Sequence, residues 1–194
     1  MAITKLALGP MDNNVYILVD DRTRHSVVVD ASHDADRIAQ AVMGTTVRYI
    51  LLTHGDGDHI DALPSLREQL GVPVGIHRAD ADRLTNPPDV DLTDGQEIAF
   101  GDTVLRVMST PGHTPGSVCF YLPQEATLIA GDTLFPGGPG ATRGDAQRFA
   151  QIIASVREKL LILPDETVVR PGHGADTTIA AEKPHLQAWI DRGY

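Results

Sequence analysis

The chain has 194 residues, 42% of them apolar and 22% charged, which suits one globular domain over residues 1–194 with a substantial core. Its net charge of −10, with the basic residues scattered, argues against nucleic acid as a partner. One cysteine, Cys119, excludes an intramolecular disulfide and a thiolate zinc cluster.

The opening third reads as strands. "ITKLALG", "NVYILVD" and "HSVVVDA" are short, apolar and β-branched, separated by the turn segments "PMDNN" and "DDRTR". No secretory signal pattern precedes them, and no apolar run approaches the ~20 residues of a membrane span, so the expected location is cytoplasmic. "HDADRIAQAVM" carries Ile38, Ala39, Val42 and Met43 at helical spacing, with Gly44 as the stop. "VRYILLT" reads as a strand buried on both faces. "HIDALPSLREQLG" reads as one helix ending at Gly71, and "VPVGIH" as a further short strand.

The second half repeats the theme. "QEIAFGDTVLRVMST" predicts a hairpin turning at Gly101-Asp102, and "GSVCFYLPQEATLIAGD" a second one around Pro123-Gln124. Cys119 sits inside that apolar run and is read as a small buried hydrophobe. "DAQRFAQIIASVREKLLIL" predicts the longest amphipathic helix, and "ETVVRPGHG" a strand and loop. "TTIAAEKPHLQAWIDRG" predicts a closing helix interrupted at Pro184. Hairpins mixed with helices in two halves imply α/β architecture, with two packed sheets and helices outside.

Metal-capable residues follow four of the strands, each group expected in a loop. His54, Asp56, Asp58 and His59 follow "YILL"; His113 follows "RVMSTPG"; Asp132 follows "TLIAG"; His173 follows "TVVRPG". A single His or Asp in a turn is usually solvated or capping. Four strand ends each carrying one point instead to a shared site, because loops after buried strands are where α/β folds place chemistry.

"THGDGDH", "TPGHTPGSV", "GDTLF" and "PGHG", in this order, resemble the successive motifs of the metallo-β-lactamase superfamily, and among its members the small glyoxalase II-like (hydroxyacylglutathione hydrolase-like) proteins. The resemblance covers nearly the whole chain and implies a four-layer αββα sandwich with a two-metal site at the sheet edge. Carried over by position, His54 and His113 would bind one ion, Asp58, His59 and His173 the other, and Asp132 would bridge them. Asp58 and Asp132 would be the catalytic carboxylates. The implied cofactors are two divalent metal ions, zinc foremost, and the implied nucleophile is a metal-bound hydroxide.

The chain departs from the family pattern at one position: Asp56 stands where a second histidine is usual. Three readings follow. Asp56 is itself a ligand, which lowers Lewis acidity and tilts preference toward iron or manganese, as in the flavodiiron branch that places Glu there. Or the first ion is weak or lost. Or the site is degenerate and binds without catalysing.

Thr53 and Thr110 are candidate hydrogen-bond partners of the ligands. Asp30 is read as a buttress. The glycine-rich loop 135–145 lacks the Lys-Ser/Thr of a phosphate-binding loop and suits a substrate-facing rim, with Arg143 as a candidate anion contact. His25, His33, His77 and His185 read as surface or helix-end residues.

The function the resemblance implies is a metal-dependent hydrolase of a small-molecule thioester, glyoxalase II-like; the spacing itself points only to the metal site, and no nucleic-acid or membrane partner is expected. Larger glyoxalase II enzymes add a C-terminal helical region that helps to bind glutathione; this chain ends soon after His173, which leaves the thiol carrier open. The alternatives are an iron-dependent, persulfide dioxygenase-like oxidoreductase and a non-catalytic metal-binding relative.

Overall fold

Alternation along one strand decides the architecture. In the structure, a computed structural model that describes residues 1–193, strand β2 (Asn13–Val19) is buried along its whole length. Its Val15, Ile17 and Val19 join one apolar cluster, while Tyr16 and Leu18 join another. Strand β3 (His25–Val29) splits the same way, Val28 to one side and Val27 and Val29 to the other. A strand with period-two side chains that is apolar on both faces must be covered on both faces.

Two six-stranded sheets meet that demand among the described residues. The first runs β1 (Ala2–Leu8), β2, β3, β4 (Thr46–Leu51), β5 (Val74–Ile76) and β6 (Val90–Asp91), antiparallel through β1–β2–β3 and parallel from β3 onward. The second contains β7 (Glu97–Phe100), β8 (Thr103–Ser109), β9 (Val118–Leu122), β10 (Thr127–Gly131), β13 (Val168–Pro171) and β14 (Thr177–Thr178), with β13 parallel to β10. A small hairpin, β11 (Leu134–Phe135) with β12 (Gly138–Pro139), lies in the glycine-rich loop.

The cluster between the sheets takes Tyr16, Leu18, Val27 and Val29 from one side and Phe100, Leu105, Val107 and Phe120 from the other. Burying one such Phe or Leu contributes about 1.5–3 kcal/mol. Helices α1 (Ala35–Ala41) and α3 (Leu63–Leu70) cover the outer face of the first sheet; Ile38 and Leu66 are fully buried there. Helices α4 (Ala146–Ser155) and α6 (Leu186–Arg192) cover the second through Ile152, Ile153 and Trp189. This is the expected αββα sandwich, and both expected hairpins form.

Three helices differ in detail. "HIDALPSLREQLG" is two helices, α2 (Gly57–Ile60) and α3, because Pro64 has no N–H and its ring would strike the carbonyl of Ile60 if the helix ran on. Helix α4 is capped by Asp145, whose side chain accepts from the amides of Gln147 and Arg148. It continues through a wider turn over Val156–Leu160, where the Leu161 amide reaches back to Val156. The last helix breaks as expected around Pro184, into α5 (Ile179–Glu182), a tight turn and α6.

Candidate metal centre

The two sheets are stitched together at one edge, and that stitching places the site. Asn14 donates its backbone N–H to Gly172 O at 2.7 Å and its side-chain amide to Pro171 O at 2.9 Å. The Tyr16 hydroxyl donates to Pro171 O at 2.7 Å. The loop after β13 is thereby fixed against the start of β2. The Val118 amide donates to Thr53 O at 2.8 Å, which joins the end of β4 to the start of β9.

All seven residues named from the motifs converge there. They form three overlapping groups: His54 with His59 and Asp132; His54 with Asp56 and His113; and Asp58 with His59 and His173. Asp58 and His59 belong to helix α2 rather than to a loop. One turn of helix turns both toward the site from adjacent positions.

Each imidazole is locked by what its Nδ1 meets. His113 Nδ1 faces Ala141 O at 2.8 Å, and His173 Nδ1 faces Met11 O at 3.0 Å. A carbonyl only accepts, so both nitrogens carry a proton. His59 Nδ1 lies 2.9 Å from Asp30 Oδ2 and donates to that carboxylate. His54 Nδ1 lies 3.0 Å from Thr53 Oγ1, whose own hydrogen goes to Asp30, so His54 donates as well. In the neutral rings all four Nε2 atoms then present lone pairs inward.

The spacing suits metal ions. Nitrogen and oxygen ligands at about 2.0–2.1 Å from a tetrahedral ion stand about 3.3–3.5 Å apart. Here His59 Nε2 lies 3.2 Å from His173 Nε2 and 3.4 Å from Asp132 Oδ1. Asp132 Oδ2 lies 3.5 Å from the Nε2 atoms of both His113 and His173, and Asp58 Oδ2 lies 3.3 Å from His173 Nε2. Two lone-pair nitrogens facing each other at 3.2 Å repel unless a cation or proton joins them. His54 Nε2 and Asp132 Oδ1 are buried without a hydrogen-bond partner, as ligand atoms are. Gly172 keeps the space open: a Cβ there would come within 2.2 Å of Asp132 Oδ1 and 2.6 Å of His59 Cε1. The donor set therefore fits divalent ions.

The site's charges push its pKa values apart. Burial, reinforced by the charge of His59, holds His54 well below the ordinary imidazole value. Burial opposes charge on His59 too, but Asp30 and Asp132 outweigh it and hold His59 well above that value. His173 is raised by its hydrogen bond to Asp132. Asp132 is held below the carboxylate range: burial works the other way and is overcome by His173 and His59. Asp56 is lowered chiefly by its contact with His113.

Asp56 joins the cluster but has other company. Its Oδ2 lies 3.2 Å from His113 Nε2 and accepts from Arg143 Nη2 at 2.8 Å, while its Oδ1 pairs with Arg83. Arg143, expected as a contact for a bound anion, thus has a protein carboxylate as its partner.

Thr53 serves the ligands as expected, through Asp30 and His54. Thr110 does not: its hydroxyl meets Thr133 at 2.9 Å and Cys119 at 3.3 Å. The hydroxyl that ties the second motif is that of Thr114, which donates to Asp80 Oδ2 at 2.6 Å. Asp80, fully buried, also accepts from the amides of Gly55 and Gly116, clamping the first two metal-facing loops together. "HRADADR" gives no hint of this. Asn13, whose amide holds Asp58 Oδ2 at 2.9 Å, was hidden in a segment that reads as a turn. Asp30 buttresses as expected, with its backbone in the left-handed region (φ 64°) and Oδ1 accepting the Thr53 amide at 2.8 Å. His33 pairs with Asp61, and His77 accepts from the Ala79 amide at the start of a short turn of helix.

A groove of about 440 Å³ opens over the cluster, floored by His113, Asp132 and His173 and walled by Phe135 through Ala141 and by Arg192. The glycine-rich loop is its rim.

This fold and edge-of-sheet cluster define a class. The family model of the metallo-beta-lactamase superfamily matches residues 8–173, and the chain belongs to that family, whose members are largely metal-dependent hydrolases. It is 31% identical over 206 residues to the hydroxyacylglutathione hydrolase GloC of Haemophilus influenzae, covering 94% of this chain and 95% of that one. Among solved structures it resembles ETHE1 from Myxococcus xanthus (TM-score 0.86, 32% identity, 96% and 83% of the two chains). It also resembles TTHA1623 in a di-iron-bound form (TM-score 0.79, 32% identity, 93% and 96%).

Proposed function

We propose that the chain is a thioester hydrolase of the glyoxalase II type, acting on a small 2-hydroxyacyl thioester rather than on nucleic acid or a membrane. The observation that carries this reading is the convergence of four inward imidazole lone pairs and three carboxylates at the floor of an open groove. The likeness to a hydroxyacylglutathione hydrolase supplies the substrate class.

His54, Asp56 and His113 would hold one ion and Asp58, His59 and His173 the other, with Asp132 shared. Four nitrogen ligands suit zinc; the three carboxylates also admit iron or manganese. Bound divalent ions lower the pKa of water from about 16 toward about 7 and polarise a carbonyl. Asp58 is the most open of the three carboxylates, 25% exposed against 12% for Asp132 and 9% for Asp56, so entering water meets it first. Its Oδ2, held by Asn13, is the oxygen that faces His59 and His173, and its Oδ1 would take a proton from that water as the carbonyl carbon is attacked and return it to the sulfur as the C–S bond breaks. The products are an acid and a thiol. Phe135 and the rim it begins give the thiol arm an apolar wall, and a groove of this size holds a small ligand.

The test is zinc-loaded protein with 2-hydroxyacyl thioesters of glutathione and of coenzyme A, followed by loss of thioester absorbance. Turnover of either supports the reading; turnover of neither rejects it. A second reading has its own observation: two histidines and one carboxylate, as in Asp58–His59–His173, are the ligand set of non-haem iron oxygenases. Iron-loaded protein that consumes oxygen with a persulfide would favour it.

A further inference from the structure

The two halves of the cluster carry different charge environments. Asp58 Oδ2 accepts from the neutral amide of Asn13. Asp56 is gripped by two guanidinium groups, Arg83 on Oδ1 and Arg143 on Oδ2. The oxygen nearest His113 is the one that Arg143 already occupies. The Arg83 side chain is partly exposed and that of Arg143 more so, and both arise beside the metal-facing loops. Arg83 lies across the first motif so closely that a Cβ at residue 55 would meet its Cδ at 2.7 Å, and its Nε lies 3.9 Å from the buried Asp80. Arg143 is delivered by a residue in the left-handed region (φ 57°), in the loop whose Ala141 carbonyl also fixes His113.

We propose that Arg83 and Arg143 are positioning residues that hold Asp56 as a charge-balanced ligand. The His54–Asp56–His113 half therefore binds its ion more weakly, and exchanges it faster, than the Asp58–His59–His173 half. The physical ground is simple. A cation entering the first half competes with two guanidinium charges for one carboxylate, and a carboxylate oxygen already accepting a hydrogen bond from Arg143 is a poorer ligand. In the second half, Asp58 meets no arginine or lysine among the described residues: its Oδ2 contacts the Asn13 amide and the rings of His59 and His173, which are the other ligands of the same ion. The inference rests on the metal-site reading above and gives that site an order of filling.

The experiment is titration of chelator-stripped protein with Zn²⁺ against a chromophoric competitor. Two steps are expected, one tight and one weaker by at least about tenfold. His113→Ala should abolish the weak step and leave the tight one; Asp58→Ala should weaken the tight one. Arg143→Gln, at an exposed side chain, and the double variant with Arg83→Gln should tighten the weak step by about tenfold or more, because the carboxylate of Asp56 is no longer balanced by guanidinium charge. Asp56→His should tighten it too. Two equal steps, or a weak step that the arginine variants leave unmoved, would overturn the inference while leaving the metal site standing. Failure to bind any zinc would overturn both.

Discussion

His59 donates from Nδ1 to Asp30 Oδ2 at 2.9 Å, and both side chains are almost wholly buried. That bond sets the ring's orientation and leaves Nε2 facing His173 and Asp132. Asp30 is not itself within the metal-facing groups, yet it decides which nitrogen His59 presents. Asp30→Asn should therefore lower zinc affinity by about 10–100-fold without adding or removing a ligand. Competition titration measures it; unchanged affinity would show that His59 is oriented by packing alone.

Asp80 is a different kind of buried carboxylate. Among the described residues it forms no hydrogen bond to the seven candidate ligands but accepts three, from Gly55, Thr114 and Gly116. Asp80→Ala leaves the amides of Gly55 and Gly116 without a partner and the Thr114 hydroxyl with Ser117 alone, and should cost about 2–5 kcal/mol of stability. Urea unfolding reads this as a lower midpoint at constant slope. A loss below about 0.5 kcal/mol would mean that water replaces the carboxylate.

Gly172 separates the site from the fold. An alanine there would strike Asp132 Oδ1 and His59 Cε1, two atoms of the cluster. Gly172→Ala is expected to cut metal occupancy sharply. Circular dichroism should keep its native shape, because the strands on either side are untouched. Full occupancy in the variant would mean that the ligands give way freely.

Metal binding should release protons. His59 and His173 have raised pKa values in the metal-free protein, which favours a proton between their facing Nε2 atoms that must leave when both become ligands. Zinc affinity should thus rise as pH rises through those values and fall as pH drops below them. Calorimetry from about pH 6 to about pH 8, in buffers of different ionisation enthalpy, gives the proton count. Affinity that stays flat across that range would contradict the protonation described for the two rings.

Cys119 provides a control for burial. Burial pushes its thiol up to about 11, and the side chain is enclosed beside Thr110. The folded protein should not react with a thiol reagent at neutral pH, and the urea-unfolded chain should react fully. Rapid labelling of the native protein would mean that the second sheet opens locally.

Much of this molecule was legible from the chain itself. The short apolar runs "NVYILVD" and "HSVVVDA" read as strands, and the sandwich covers both of their faces. Four motifs after four strands named the residues that converge. What stayed hidden shares one property: it depends on contacts between distant segments. Asp56 and Arg143 are 87 positions apart, so nothing near "THGDGDH" hints that a guanidinium would reach that carboxylate. Asp80 lies 25 residues from Gly55 and 36 from Gly116, in a segment without periodicity or turn signal. The break between α2 and α3 was readable from Pro64, but the apolar spacing of Ile60, Leu63, Leu66 and Leu70 masked it, since both helices press the same face into the first sheet.

The most direct test of the central claim is to strip the protein with a chelator, confirm by circular dichroism that it stays folded, and assay 2-hydroxyacyl thioester hydrolysis before and after zinc is restored. The account predicts that turnover disappears with the metal and returns with it. Turnover that survives complete removal of metal, or that never appears in the fully loaded protein, would contradict it.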